Sequence, residues 1–216
     1  MGTSRVKISE LAPGIGERAF IAGNSGSGKS TLSRYLARVM ASRQPLIIID
    51  PKGEIEEFRG REKIIHKPEE IKNASVIRYV PSLDSDVVAD VDTIMRACYN
   101  AGNVAIWVDE LYAICEGATS GINLSGLRAV LTRGRSKKVT FLGLAQRPAW
   151  VPLFCISETN KRYVFSLPLK SDRDRMVEII GNDCLLRVLP KYEFWYSETD
   201  KPGQVDGPLR LEIETT

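Results

Sequence analysis

Gly23-Asn24-Ser25-Gly26-Ser27-Gly28-Lys29-Ser30 is a complete G-x-x-x-x-G-K-[ST] loop, and its reading decides the fold. An apolar run at residues 19–23 leads into it. A helical pattern at 29–42 leads out, with Leu32, Tyr35, Leu36 and Val39 on one face. Each residue type has a physical reason. Glycines let the backbone wrap so that successive N–H groups point inward at an anion. The helix opening at Lys29 adds the positive end of its dipole. Lys29 reaches the terminal phosphates of a nucleoside triphosphate as a mobile point charge, and Ser30 offers a hydroxyl to Mg²⁺. Gly23, Asn24, Ser25, Gly26, Ser27, Gly28, Lys29, Ser30 and Thr31 are the expected nucleotide-binding set.

Outward from the loop, further apolar runs at 46–50, 104–109, 139–145 and 162–167 read as buried strands, with a sixth at 76–80 stopped by Pro81. Their near-continuous hydrophobicity predicts a parallel sheet covered on both faces. Between them, residues 86–101 carry Val87, Val88, Val91, Ile94, Met95 and Cys98 as a helical core stripe, and 124–132 and 171–180 are shorter helical candidates. Gly181 suits a C-cap. The β-α alternation predicts a doubly wound α/β fold with a mainly parallel central sheet. Small residues at 117–126 read as a mobile loop. Pro202, Gly203, Gly207 and Pro208 mark a C-terminal arm or late edge strand at 209–213. The expected division is a main domain at 1–196 and an arm at 197–216.

The chain has 216 residues, 43% hydrophobic and 26% charged, with 30 Lys+Arg against 27 Asp+Glu. That composition excludes a disordered, collagenous or coiled-coil chain. No apolar run approaches the roughly 18 residues of a membrane helix, and the N-terminus lacks a signal-like segment. A cytoplasmic setting is expected, the host cytoplasm or the virion if the chain is viral. Cys98, Cys115, Cys155 and Cys184 form no CxxC pair and read as buried free thiols.

Residues 104–110 form an apolar strand ending in Asp109 and Glu110. A carboxylate at the C-terminal edge of a strand lies where a doubly wound sheet binds ligand. Asp109 is expected to hold Mg²⁺, partly through water, and Glu110 to polarise the water that attacks the γ-phosphate. The 139–145 strand ends in Gln146, an amide placed to touch the γ-phosphate or that water. A guanine-reading Asn-Lys-x-Asp is missing, because Asn160-Lys161-Arg162-Tyr163 lacks the acid. Leu124-Ser125-Gly126-Leu127-Arg128 comes after the acidic strand and fails the ABC-transporter signature at its last two positions.

The combination resembles the FtsK/HerA superfamily of DNA-pumping ATPases. It is carried by the phosphate loop, Asp50-Pro51-Lys52-Gly53-Glu54, Asp109-Glu110, the run Thr132-Arg133-Gly134-Arg135-Ser136-Lys137-Lys138-Val139, and Leu144-Ala145-Gln146-Arg147-Pro148. It spans about residues 15–180. The superfamily's membrane anchor, coupling domain and winged helix have no counterpart in these residues. A bare motor of this size is similar to the genome-packaging ATPases of tailless, membrane-containing icosahedral viruses. The resemblance implies a three-layer P-loop NTPase fold, RecA/FtsK-like and of the type with an additional strand and a catalytic Glu. It implies ATP as the nucleotide, a homo-oligomeric ring (hexamer or pentamer) with ATP at subunit interfaces, and a trans-acting arginine, for which Arg133 and Arg135 are the mapped candidates. Gln146 maps to the polar sensor. Asp50 maps to a recurrent acid of unassigned role.

From 117 to 157 there is no acidic residue, while Arg128, Arg133, Arg135, Lys137, Lys138 and Arg147 are basic. A ring would gather this stretch into a positive annulus for sequence-independent binding of double-stranded DNA. The expected function is an ATP-hydrolysing, DNA-translocating motor, with a capsid vertex as a further expected partner. The alternatives are a conjugation, export or chromosome translocase of the same superfamily, a P-loop small-molecule kinase, and a nucleotide-gated assembly protein.

Overall fold

A computed structural model of the chain describes residues 4–5, 8–115 and 124–210. Ten strands form one sheet: β1 (Ser4–Arg5), β2 (Arg18–Ala22), β3 (Leu46–Ile49), β4 (Lys63–Ile65), β5 (Val76–Tyr79), β6 (Ala105–Val108), β7 (Thr140–Ala145), β8 (Lys161–Phe165), β9 (Glu193–Glu198) and β10 (Asp206–Arg210). Their order is β1-β10-β9-β8-β2-β7-β6-β3-β5-β4. From β8 to β4 every neighbouring pair is parallel; β9 runs antiparallel to both β8 and β10.

Alternating side chains along each strand feed two cores. Ile21, Ile48, Trp107 and Leu142 pack under α2 (Lys29–Ala41), against Leu32, Leu36 and Met40. Phe20, Ile47, Ile106 and Phe141 face the other way. They meet α3 (Val87–Ala101), α5 (Ser125–Arg133) and α7 (Lys170–Ile180) through Ile94, Met95, Leu127, Val130 and Met176. Helix, sheet, helix gives the three layers that the resemblance implies. Short helices α1 (Ile8–Leu11), α4 (Leu111–Cys115) and α6 (Leu153–Ser157) fill connections.

Local chemistry explains the main boundaries. Asp86 caps α3, its carboxylate accepting the Ala89 N–H at 3.1 Å. Gly181 ends α7 with φ 79°, the left-handed cap expected of it. Nothing in its own turn caps α5, so α3 does it: the buried Asp92 carboxylate accepts the N–H groups of Gly126 (2.7 Å) and Leu127 (3.3 Å). A Cβ on Gly126 would lie 2.3 Å from the Asp92 carbonyl oxygen, so only glycine permits this helix contact.

Three features differ from the sequence expectations. β4 arises inside the polar 61–70 stretch, where Ile65 is buried and pairs with Tyr79. β9 spans the junction between residues 196 and 197 and buries Phe194, Trp195, Tyr196 and Ser197, tying the C-terminal segment to the main sheet. The late edge strand is described over Asp206–Arg210 and begins three residues before the expected start at 209. Residues 211–213 lie outside the described residues, as do 117–123 of the expected mobile loop.

Candidate nucleotide site

The strand order sets the geometry. β7 is inserted between β2, which feeds the phosphate loop, and β6, which ends in the acid pair. Two strand spacings separate loop and acids by about 10 Å, room for a terminal phosphate and a water molecule. Gln146, at the tip of β7, sits on the midline of that gap.

The loop is fastened at its root. Gly23 N–H donates to the Ala145 carbonyl at 3.2 Å and Asn24 N–H to Ser166 at 3.0 Å. A Cβ on Gly23 would meet the Phe165 Cβ and the Ser27 Oγ, each at 2.7 Å, so the first glycine is required by packing. Gly26 and Gly28 take φ of 74° and 113°, which turn the backbone inward.

A cleft of about 500 Å³ opens above. Asn24, Ser25, Gly26, Gly28, Lys29, Ser30, Thr31, Asp109 and Gln146 line it. Gly23 and Ser27 shape the loop beneath. Glu110 is buried at 8% exposure beside the acid end, and its Oε1 has no hydrogen-bond partner among the described residues. An orphaned buried carboxylate oxygen is costly unless a ligand or water completes it.

The charges form a balanced set. Burial lowers the Lys29 ammonium, opposed by the Asp109 and Glu110 carboxylates. Burial raises the Asp109 carboxyl, with Lys29 pulling it back. Burial also raises Glu110, offset by Lys29 and by the backbone amides of Tyr112 and Gln146. The loop amides and Lys29 fit a polyphosphate. The Ser30 hydroxyl and Asp109 carboxylate fit a hard cation whose other ligands are phosphate oxygens and water.

Four cleft residues were not foreseen: Lys52, Glu54, Lys191 and Tyr192. The first two follow from the structural role of Asp50. Its fully buried carboxylate accepts the Glu54 N–H at 3.2 Å and the Ile55 N–H at 2.9 Å, and pairs with Arg78 at 3.1 Å. Asp50 folds the turn that presents Lys52 and Glu54. The Asp50-Pro51-Lys52-Gly53-Glu54 motif was the available signal. Lys191 and Tyr192 had no local signal.

Arg133 and Arg135 are not in this cleft. Arg135 lines a depression with Glu17, Asn160 and Lys161, where β2 and β8 begin, and Arg133 lies over the Tyr99 ring. The six residues of β7 put about 20 Å between that end of the sheet and the loop. Neither arginine can serve the nucleotide cleft of its own chain.

The sheet, the loop and the acid pair define a P-loop nucleoside triphosphatase fold of the kind with a strand inserted between the loop strand and the acidic strand. No family model matches the chain. It is 28% identical over 176 residues to the DNA packaging ATPase P9 of Enterobacteria phage PRD1, across 79% of this chain and 73% of that protein. Among solved structures it is similar to the genome packaging NTPase B204 of Sulfolobus turreted icosahedral virus 2 in complex with AMP, with TM-score 0.71 at 16% identity, covering 89% of this chain and 98% of that one. It is also similar to VirB4 of Thermoanaerobacter pseudethanolicus, with TM-score 0.68 at 10% identity, covering 91% and 90%. The chain is thus similar in sequence to a viral DNA-packaging ATPase and shares its fold with B204 and VirB4. No helix among the described residues is long and apolar enough to cross a membrane.

Proposed function

We propose that the chain is an ATP-hydrolysing motor that packages double-stranded DNA into a viral capsid. The observation that carries this reading is the placement of Gln146 between the phosphate loop and Glu110, a hydrolytic rather than a storage arrangement. The similarity to packaging ATPases supports DNA as the cargo.

In this reading the loop amides and Lys29 hold the triphosphate. Ser30 and Asp109 would hold Mg²⁺, which when bound neutralises phosphate charge. Glu110 orients the attacking water and accepts its proton. The Lys29 ammonium keeps Glu110 able to ionise despite burial. Gln146 touches the γ-phosphate or the water, and its backbone amide lies beside the Glu110 carboxylate, so a shift of β7's tip is felt at the base.

Charge spreading onto the γ-phosphoryl oxygens requires a further cation, and a ring of copies supplies it. Arg133, Arg135, Lys137 and Lys138 are exposed at the far end of the sheet, with no ion pair among the described residues. A neighbouring copy presents Arg135, or Arg133, to the cleft. The remaining cations, with exposed Arg128, follow the DNA backbone. Hexamer or pentamer, capsid vertex and cytoplasmic or virion location belong to the same proposal.

The test is ATPase assay with and without double-stranded DNA, beside a sizing measurement. The expected result is hydrolysis that rises with protein concentration, a ring-sized species, and DNA stimulation that fades with salt. A fully active monomer indifferent to DNA overturns the reading.

A further inference from the structure

The chain from Pro190 to Tyr192 comes from the far C-terminal side of α7 yet ends on the phosphate loop. Tyr192 N–H donates to the Ser27 carbonyl at 2.8 Å, and Glu193 N–H to Pro190 at 3.2 Å. Tyr192 has φ 69°, a left-handed conformation that is strained for a bulky aromatic residue and persists only when its surroundings impose it. The ring is set hard against the loop: a Cβ on Gly28 would lie 2.9 Å from its Cδ1. Gly28 therefore has two reasons to be glycine, its φ of 113° and the space the tyrosine occupies.

The ring borders the cleft, and it is the only aromatic side chain among the described residues that line it. Lys191 lines the same side, its Nζ 4.8 Å from the centre of the Tyr192 ring. The loop amides, Lys29 and Ser30 account for the phosphates. None of these groups offers the nucleoside the apolar or aromatic face that its ring system needs.

We propose that Lys191 and Tyr192 form the nucleoside subsite of the cleft: the Tyr192 ring is the platform for the base, and Lys191 flanks it beside the sugar and first phosphate. The proposal rests on the nucleotide-hydrolysing reading above and adds what that reading lacks, a contact to the part of the substrate that is not phosphate. A π-face reads shape rather than the hydrogen-bonding edge of a base, so the platform accepts purines with little discrimination. The left-handed backbone at Tyr192 is the device that turns the ring toward the loop. The hydrogen bond to Ser27 couples its position to the loop.

The experiment measures equilibrium binding of ATP, GTP and inorganic tripolyphosphate to wild type, Tyr192→Phe and Tyr192→Ala, with thermal melts for folding. Tyr192→Phe is expected to bind all three as wild type does. Tyr192→Ala is expected to lose about tenfold or more for ATP and GTP, the size of one aromatic stack, and to keep tripolyphosphate affinity. Equal losses for ATP and tripolyphosphate would overturn the proposal, making Tyr192 a buttress of the phosphate loop. Unchanged ATP affinity in folded Tyr192→Ala would overturn it as well. Failure of the wild type to bind either ATP or tripolyphosphate is a different result: it removes the nucleotide reading itself, and the subsite with it.

Discussion

Replacing Asp50 by Asn tests how the cleft is built. The carboxylate of Asp50 is fully buried and makes three contacts: two backbone amides, of Glu54 and Ile55, and the Arg78 guanidinium at 3.1 Å. Asn keeps one acceptor oxygen, but its amide N–H₂ must face donors, either Ile55 N–H or Arg78. Breaking a buried ion pair from one side costs about 3–5 kcal/mol. Here Arg78 keeps Glu62 at 3.4 Å, and its side chain is 12% exposed, so the lower end applies, about 3 kcal/mol. A domain of this size loses roughly 2–4 °C of Tm per kcal/mol, which gives a fall of about 6–12 °C. Total stabilities of about 5–15 kcal/mol leave the variant folded. The assay is a thermal melt, paired with ATP binding, which is expected to weaken because Lys52 and Glu54 lose their fixed turn. A double-mutant cycle with Arg78→Gln isolates the pair. A Tm change below about 2 °C, or additivity within about 0.5 kcal/mol in the cycle, would refute the reasoning.

Gly126→Ala should destabilise by about 3 kcal/mol, since the new Cβ meets the Asp92 carbonyl at 2.3 Å; Gly60→Ala, with open space around it, should lose only the cost of its φ of 77°, about 1 kcal/mol, both read by urea melts. Arg135→Ala is expected to cut ATP turnover by about 10³-fold, and mixing it with Lys29→Ala should restore part of the activity through hybrid rings; no restoration by the mixture counts against a shared site. Thiol labelling at pH 8 should find Cys184 first. Burial pushes the Cys98 thiol up to about 12, and the hydrogen bond with Cys115, together with burial, raises Cys155; Cys184 is raised too, by burial and by Asp183, but it is only half-buried and so within reach of the reagent. Thiolate fraction, and so labelling rate, rises with pH toward each raised value, and Cys98 and Cys155 should react at pH 8 only on unfolding.

The loop, the acid pair and the parallel core were legible because each is written locally. A phosphate cradle needs its glycines and lysine in fixed succession, and strands buried on both faces read as continuous apolar runs. Gln146 was legible for the same reason, as the polar residue ending such a run. Long-range placement was not. Tyr192 reaches the loop through a contact 165 residues away in sequence, Ser27 to Tyr192, and nothing near Pro190 signals it. β9 carries Phe194, Trp195 and Tyr196 in succession, and the polar Ser197 is buried too, so no alternation betrays the strand. Nor does the sequence around Trp150 signal its setting: the ring stands 54% exposed, tilted against Tyr112 and under the Arg147 guanidinium that Asp172 holds.

Glu110→Gln bears most directly on the claim that this cleft splits a nucleotide rather than merely holding it. The substitution keeps the shape and removes the base beneath the γ-phosphate. ATP affinity should stay near that of wild type while single-turnover hydrolysis falls by about 10²-fold or more. Near-normal hydrolysis by the variant, at full occupancy with ATP, would contradict the account.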